Sequence, residues 1–376
     1  MDAILCNKQT ETLKVEIENG IITNIGEIIN KDKMPLCLQN ELTLESANKW
    51  LNKRKMPLNR EGLKEAKHQL GSEYYNNYQR MFALTDQYWF KINNRDSWRK
   101  YNFFTNRYDT SIGQSLFTPW NIDKEKLKPE SPDMTTNGVL RKVWVQDENM
   151  TSYLIKAGST VFHQEPLSEV LATLTLQKIE GFIPYVRYEI CVNGMRICSK
   201  CRNFVDENTE FIPAQYIYNI EPRRSDKSQY EHLIMMMENY GIERPGTFID
   251  KMMLADLVMG NSDRHLGNFG ILKNVETGEM QFAPLFDFGS AFREYYKEKE
   301  TEPKPRLFEE QTARVLHIYT RNAQLKALAE NDDLFALIDV YPNLTAAQKD
   351  AIKTGIKERT KRFNFAEQIR GGARGR

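Results

Sequence analysis

Asp263, Asn268 and Asp287 have the residue types and the spacing that phosphoryl transfer requires. Asp263 and Asn268 lie five residues apart in "NSDRHLGNFGIL", and Asp287 follows in "PLFDFGSAF". In that chemistry one carboxylate orients the attacking hydroxyl and takes its proton, while an Asn amide oxygen and a second carboxylate hold Mg²⁺ against the nucleotide phosphates. Mg²⁺ prefers hard oxygen ligands and keeps several waters, so two protein oxygens suffice. The pattern predicts Asp263 as the base and Asn268 and Asp287 as Mg²⁺ ligands.

Each of these residues, taken alone, has an ordinary structural explanation. A lone His such as His265 is more often structural than catalytic, Asp263 suits a turn, and Asp287 suits a helix cap. Their combination lies between a predicted helix that ends at Gly260 and a predicted β-hairpin, which places the loop at the mouth of a cleft. This frame favours an active site, with His265 as a second catalytic candidate.

Phosphoryl transfer also needs a lysine that reaches the nucleotide phosphates. The stretch "SYLIKAG" places Lys156 at the end of a predicted strand, and Glu169 lies thirteen residues further along on the next predicted helix. Glu165 competes with Glu169, but it precedes Pro166 and suits the start of that helix. A lysine that extends its charged end from a strand into water is the alternative explanation for Lys156. We predict Lys156 and Glu169 as nucleotide-binding residues.

The sequence "DMTTNGVLRKVWV" suggests a loop that covers the phosphates. Thr135, Thr136 and Gly138 lie directly before a predicted strand. Hydroxyl and backbone N–H groups in such a loop can cradle phosphates. The sequence is not G-x-G-x-x-G, so the loop is a weak signal by itself.

Together these motifs resemble those of the HipA-like kinases, the serine/threonine kinase family of bacterial toxin–antitoxin systems. The resemblance covers roughly residues 130–330. It implies ATP and Mg²⁺ as cofactors, Asp263 as catalytic base, Asn268 and Asp287 as metal ligands, and Lys156 as a nucleotide-binding residue. It also implies a protein substrate and an antitoxin as partner.

The family's phosphate loop follows the pattern S-x-x-G-x-x-x-K, and Thr135, Gly138 and Lys142 fall on those positions, with Thr in place of Ser. In the family the loop hydroxyl can be autophosphorylated, so autophosphorylation of Thr135 or Thr136 is a hypothesis for this chain. A nucleotide-binding hinge is expected after "RICSKC", at Asn203, Phe204 and Val205.

Other functions compete with a protein kinase. The order Asp-Arg-His, then Asp-Phe-Gly, also resembles phosphatidylinositol kinases, so a lipid or small-molecule kinase is an alternative. With 52 Lys+Arg against 51 Asp+Glu, the chain lacks the polybasic character expected for an anionic membrane substrate. A nucleotide-binding pseudokinase is disfavoured because Lys156, Asp263, Asn268 and Asp287 are all present. A DNA-binding helix pair within 43–70 is weaker than an amphipathic pair with a solvated charged face, so nucleic acid is not an expected partner.

The composition favours a cytoplasmic protein. Of the 376 residues 40% are hydrophobic, yet no apolar run reaches the roughly 18 residues of a membrane span, and the N-terminus has no signal-peptide pattern. Five Cys, an odd number in a long chain, suit a reducing compartment better than a disulfide framework. Cys198 and Cys201 form C-x-x-C, but no second pair of metal ligands accompanies them.

The hydrophobic pattern predicts an α+β protein. Hairpin turns are expected at Asn19–Gly20 and Asn193–Gly194, and a helix is expected to end at Gly181. Strands dominate from about residue 139 to 205 and helices after about residue 210. We therefore expect a bilobed protein-kinase-like fold, with a small β-rich N-lobe, a helical C-lobe and an additional N-terminal α/β segment. The expected limits are 1–125 for the accessory region, 126–207 for the N-lobe and 208–376 for the C-lobe.

Overall fold

The structure, a computed structural model, contains two compact units. It describes residues 1–75, 79–128, 130–178, 183–293, 307–319 and 331–371. The first unit comprises residues 1–159, 191–212 and 271–281, and the second comprises 160–190, 213–270 and 282–376. The first unit therefore contains the whole predicted accessory region together with much of the predicted N-lobe, and the three predicted domains stay a prediction.

Helices and sheets with antiparallel strand pairs are mixed along the chain, which confirms the predicted α+β class. The strands are β1 (Asp2–Asn7), β2 (Thr10–Glu18), β3 (Ile21–Ile28), β4 (Tyr88–Lys91), β5 (Lys142–Gln146), β6 (Ser152–Ala157), β7 (Tyr188–Asn193), β8 (Arg196–Arg202), β9 (Thr209–Pro213), β10 (Gly270–Asn274) and β11 (Met280–Phe282). They form sheets of order β3-β2-β1-β4, β5-β6-β8-β7 and β11-β10-β9.

Helices occur in both units, and the longest ones lie in the second. The α-helices are α1 (Leu36–Asn40), α2 (Leu44–Lys53), α3 (Leu63–Leu70), α4 (Trp98–Tyr101), α5 (Ser111–Ser115), α6 (Glu165–Lys178), α7 (Ala214–Tyr218), α8 (Gln229–Asn239), α9 (Pro245–Met259), α10 (Thr312–Tyr319), α11 (Asp332–Val340) and α12 (Ala346–Gly371). In the part of the chain that the structure describes, no helix is long and apolar enough to cross a membrane.

The two hairpin turns predicted from Asn-Gly pairs are confirmed. Asn19 and Gly20 join β2 to β3 and have positive φ angles of 51° and 74°, the left-handed conformation that tight hairpins need. At the second turn Gly194 has a φ of 60°, between β7 and β8. Local turn chemistry therefore determined both hairpins.

The helices that frame the predicted active-site loop also form where the pattern placed them. The helix α9 ends with Gly260 as its left-handed cap at φ 64°, a position that favours glycine. The predicted helix before "GFIPY" is α6, and its predicted end at Gly181 lies outside the described residues. Both helices bury residues on most of their faces, which explains why they are rich in Leu, Met and Val.

An aromatic cluster joins the N-terminal segment to β5. Phe82 stacks on Trp89 with ring centroids 5.0 Å apart, and Trp144 of β5 packs in the same cluster. The region 1–125 therefore shares a hydrophobic core with the strands that follow it.

A buried carboxyl fastens the segment before β5. Asp133 lies in a short 3-10 helix, Pro132–Thr135, and its Oδ1 accepts a hydrogen bond from the Trp144 backbone N–H at 2.9 Å. Its Oδ2 accepts one from Ser131 Oγ at 3.1 Å. Asp133 is fully buried, and burial raises the pKa of its carboxyl from 3.8 to about 7.

The raised pKa of Asp133 predicts a pH-dependent stability. The unfolded chain loses this proton near its usual pKa of 3.8, whereas the folded chain keeps it until about pH 7. The wild type should therefore lose up to about 4 kcal/mol of unfolding free energy across that window, relative to Asp133→Asn, which does not titrate. Urea denaturation of both proteins at several pH values measures the difference. A difference that does not change with pH would contradict it.

Candidate active site

The predicted catalytic loop is built around a buried ion pair. Arg264 and Asp256 are 3% and 4% exposed at their side chains. Arg264 Nε donates to Asp256 Oδ2 at 2.9 Å and Nη2 donates to Oδ1 at 3.0 Å, a two-point contact between the loop and α9. Asn261 Nδ2 also donates to Asp256 Oδ1 at 2.8 Å. These contacts fix the path of the chain where it leaves α9.

The same guanidinium joins the loop to the segment that carries Asp287. Arg264 Nη1 donates to the backbone carbonyl of Asn268 at 2.8 Å and to that of Phe286 at 2.6 Å. The Arg264 side chain also lies over the Phe288 ring, 4.8 Å from its centroid. Burial lowers the pKa of Arg264, but the Asp256 carboxylate outweighs this and the net shift is upward, so the charge is retained.

Asp287 has an unusual backbone conformation that its neighbours hold in place. Its φ is 61°, a left-handed value that is uncommon outside glycine and clusters at functional sites. Its backbone N–H donates to Tyr188 Oη at 3.3 Å, and the N–H of Phe288 donates to Glu169 Oε2 at 2.8 Å. Glu169 is 1% exposed, so this buried carboxylate orients the backbone that carries Asp287.

Within the loop, the predicted base is exposed and its neighbours are anchored. Asp263 is exposed, whereas Asn268 is buried. Asn268 Nδ2 donates to the Asp263 carbonyl at 3.4 Å. This bond uses the amide nitrogen of Asn268 and does not involve the amide oxygen, which is the predicted Mg²⁺ ligand. His265 Nδ1 accepts from the Gly267 N–H at 3.0 Å, so His265 contributes at least to the shape of the loop.

The first turn of α6 fastens the residues after Asp287. Ser168 Oγ donates to the Ala291 carbonyl and Gln164 Nε2 donates to the Phe292 carbonyl, each at 2.7 Å. Glu165 forms an ion pair with Arg293 at 3.0 Å. Lys156 belongs to the first unit and Glu169 to the second, and an ion pair between them stays a prediction.

In the first unit, the two predicted phosphate-binding lysines are direct neighbours. Lys142 of β5 pairs in register with Lys156 of β6, and directly opposed residues share one face of a sheet. Their exposed fractions are 8% and 9%. Lys142 Nζ donates to the Asn137 carbonyl at 2.8 Å. Two cations are thus held side by side next to the predicted phosphate loop.

The backbone conformation of Gly138 favours glycine, and the end of the Lys142 side chain lies against it. Its φ is 100°, and a Cβ on it would lie 2.3 Å from Lys142 Nζ. The threonines before it are engaged with the fold. The Thr135 hydroxyl is buried at 2.7 Å from the Phe82 carbonyl, and Thr136 Oγ1 lies 2.7 Å from the Pro132 carbonyl. Phosphorylation of either hydroxyl would require the short helix Pro132–Thr135 to open.

The predicted hinge follows β8 directly. Asn203 Nδ2 donates to the Leu84 carbonyl at 3.0 Å, and the Asn203 N–H donates to the Ser152 carbonyl at 2.8 Å. Phe204 packs edge-on against Phe211, and Val205 is buried. The role of this hinge, Asn203, Phe204 and Val205, in nucleotide binding stays a prediction.

The donor set at Asn268 and Asp287 fits Mg²⁺. An amide oxygen and a carboxylate are the hard oxygen ligands that this ion prefers, and phosphates and waters complete its shell. Among the described residues no group of three or more His, Cys, Asp or Glu side chains forms a metal site. Cys198 and Cys201 are buried and form no disulfide, and a hydrogen bond with Cys191, together with burial, raises the pKa of Cys198.

Comparisons with known proteins point in the same direction as these motifs. Residues 204–354 match the family described as the LepB N-terminal domain. Over 101 residues the chain is 32% identical to the serine/threonine-protein kinase CtkA of Helicobacter pylori, a match that covers 25% of this chain and 31% of the relative. The chain resembles the HipA-like kinases. The resemblance that the motifs predicted is confirmed over this part of the chain.

Two solved structures are similar to parts of the chain. The crystal structure of the proinflammatory kinase CtkA of Helicobacter pylori is 19% identical, covering 61% of this chain and 93% of that one, with a TM-score of 0.43. HipA of Shewanella oneidensis, solved with HipB and operator DNA, is 15% identical, covering 60% and 64%, with a TM-score of 0.42.

The sequence motifs identified the acidic residues of the candidate site. They did not identify Arg264, Asp256 and Tyr188, which hold the loop and the segment that carry those residues. Arg264 stood inside the quoted Asp-Arg-His motif without a role. Asp256 had a signal that could have been used, because a carboxylate within the apolar helix "MMLADLVM" needs a buried partner. Tyr188 gave no signal, since only the fold brings it to the backbone of Asp287.

The buried pair predicts a specific pattern of stability changes. Arg264→Met leaves the Asp256 charge buried without its partner and should cost about 3–5 kcal/mol of unfolding free energy. The double variant Arg264→Met/Asp256→Leu removes both charges and should recover most of that loss. Chemical denaturation of the three proteins measures this. A double variant as unstable as the single one would show that the unpaired charge is not the cause.

Proposed function

We propose that the chain is an ATP- and Mg²⁺-dependent protein serine/threonine kinase of the HipA-like type. One observation carries the proposal: Arg264 Nη1 binds the carbonyls of Asn268 and Phe286 together. The loop with Asp263 and Asn268 and the segment with Asp287 are thereby held as one rigid arrangement, as phosphoryl transfer requires.

Asp263 acts as the base in this proposal. Its carboxylate is exposed, so a hydroxyl of a second protein can approach it. It orients that hydroxyl and accepts its proton as the oxygen attacks the terminal phosphate of ATP, and ADP leaves. His265 shapes the same loop through its bond from Gly267.

Asn268 and Asp287 would hold Mg²⁺, which supplies positive charge to the phosphates when bound. The backbone N–H groups of Asp287 and Phe288 donate to Tyr188 and Glu169, which holds the left-handed backbone of Asp287 in place independently of the ion. Preorganised ligands of this kind lose little freedom on binding.

Lys142 and Lys156 would bind the phosphates from the first unit, with Glu169 as the predicted partner of Lys156. Two cations on adjacent strands suit a polyphosphate, whose charge is spread over several oxygens. Gly138 would let the loop backbone approach the same phosphates. Asn203, Phe204 and Val205 would form the adenine-binding hinge.

The acceptor and partners are extensions of the same proposal. The relative CtkA is named a serine/threonine-protein kinase, which supports a hydroxyl on a protein as acceptor. HipA of Shewanella oneidensis was solved with HipB in a toxin–antitoxin complex, and we propose an antitoxin-type partner here. Thr135 and Thr136 are the proposed autophosphorylation sites.

A lipid or small-molecule kinase is the second candidate. The order of Asp263, Arg264 and His265, which resembles phosphatidylinositol kinases, favours it. The acceptor distinguishes the two candidates, since both use the same base and metal ligands.

Asp263→Asn should reduce phosphate transfer by about 10³-fold while leaving Mg²⁺-ATP affinity within about twofold, because it removes a base and no ligand of the nucleotide. The assay is transfer of radiolabel from ATP to the chain itself, to casein and to phosphatidylinositol vesicles. Asp226→Asn, an exposed Asp of the second unit paired with Arg224, is the matched control and should transfer as the wild type does.

Label on protein supports the kinase proposed here, and label only on vesicles favours the lipid kinase. Full activity of Asp263→Asn would contradict the assignment of the base.

A further inference from the structure

The region 1–125 reaches directly into the predicted phosphate loop. The Met56 N–H donates to the Met134 carbonyl, and the Glu61 N–H donates to the Val139 carbonyl, each at 2.8 Å. These two backbone bonds bracket the loop on both sides. They leave the intervening loop few ways to move without displacing the N-terminal segment.

Arg60 lies between those two backbone bonds and contacts the loop itself. It is 2% exposed, and its Nη2 donates to the Thr136 carbonyl. Its charge also acts on the buried Asp133, where it lowers the pKa of the carboxyl against the larger upward effect of burial. Asp133 in turn holds the Trp144 backbone. Arg60 therefore contacts the loop at the Thr136 carbonyl, and its charge also acts on Asp133 in the short helix before the loop.

A second stretch of the same region holds both the loop and the predicted hinge. Three of the four carbonyls in the strap 82–85 accept hydrogen bonds, from Thr135 Oγ1 at Phe82, from Asn203 Nδ2 at Leu84, and from the Phe211 N–H at Thr85. The three distances are 2.7, 3.0 and 2.9 Å. One short strap thus connects the loop that would bind phosphates with the segment that would bind adenine.

The strap is itself fixed by a buried arginine. Arg54 Nη2 lies within hydrogen-bonding distance of the Met81 carbonyl, the Tyr88 carbonyl and Asp86 Oδ1, at 3.1, 2.9 and 2.8 Å. Arg54 is 6% exposed. Met81 precedes the strap, and Asp86 and Tyr88 follow it. The bonds of Arg54 therefore hold the chain on both sides of the strap and help to orient the carbonyls between them.

We propose that residues 54–61 and 81–86 form a positioning element of the nucleotide site, in which Arg60 sets the conformation of the phosphate loop. The inference rests on the proposed kinase function and adds a role for a region to which the motifs assigned none. Arg60 acts through the backbone of Thr136 and is a positioning residue. Its loss should weaken nucleotide binding more than it slows the transfer step.

The test compares Arg60→Met with two variants. Arg60→Lys keeps the charge facing Asp133 but loses the planar fork that reaches the Thr136 carbonyl. Lys91→Met removes an ion pair with Glu11 on another sheet of the same unit and controls for the loss of a paired cation. Thermal unfolding of all proteins verifies that they fold.

Calorimetry with Mg²⁺-ATP and steady-state kinetics provide the first measurement. Arg60→Met should raise the Kd and KM for ATP by about tenfold or more with kcat changed little, and Arg60→Lys should lie between it and the wild type. Lys91→Met should match the wild type. Equal ATP affinity in Arg60→Met and the wild type would overturn this inference alone, whereas a wild type that binds no Mg²⁺-ATP would overturn the proposed function as well.

A second measurement needs no nucleotide. Trp144 Nε1 donates to Thr136 Oγ1 at 2.8 Å, so the fluorine resonance of 5-fluorotryptophan at Trp144 reports on the loop, with Trp144→Phe to assign it. Arg60→Met and, to a smaller extent, Arg60→Lys should shift this resonance, and Lys91→Met should leave it in place. An unchanged Trp144 resonance in both Arg60 variants would show that Arg60 does not position the loop.

Discussion

The charge of Arg264, buried inside the second unit, constrains everything around it. A guanidinium without water must find a carboxylate and carbonyl acceptors, because an uncompensated buried charge costs several kcal/mol. Asp256 supplies the carboxylate, and the backbones of Asn268 and Phe286 supply the carbonyls. The loop and the segment that carries Asp287 therefore cannot separate without exposing that charge. Fold stability and the geometry of the proposed site depend on the same contact.

In the first unit, two lysines lie next to each other beside the predicted phosphate loop. The register of β5 and β6 places Lys142 and Lys156 side by side on one face of the sheet. Gly138 gives Lys142 the space to lie against the loop, while the N-terminal region fixes that loop by backbone bonds. The predicted phosphate loop is thus supported by residues far apart in sequence, and the N-terminal region also shares a core with the strands after it.

Local chemistry made much of the fold predictable. Asn19–Gly20 and Gly260 determine their turns and helix end through φ angles that few other residues adopt, and the spacing of Asp263, Asn268 and Asp287 predicted the candidate site. The supporting contacts could not be predicted, because Tyr188, Arg60 and the strap at 82–85 act through backbone groups that any residue carries. Thr135 shows the same limit: its position in the family pattern suggested a phosphate contact, whereas tertiary packing buries its hydroxyl against Phe82.

The most direct test of the central claim is calorimetric titration of ATP into the wild type and Asp287→Asn, each with Mg²⁺ and with EDTA. The wild type should bind ATP more tightly with Mg²⁺, and Asp287→Asn should lose most of this gain, about tenfold or more in affinity. Equal affinity with and without Mg²⁺, or an unaltered Mg²⁺ dependence in Asp287→Asn, would contradict the claim that this segment and the Arg264 loop together hold a metal–nucleotide complex.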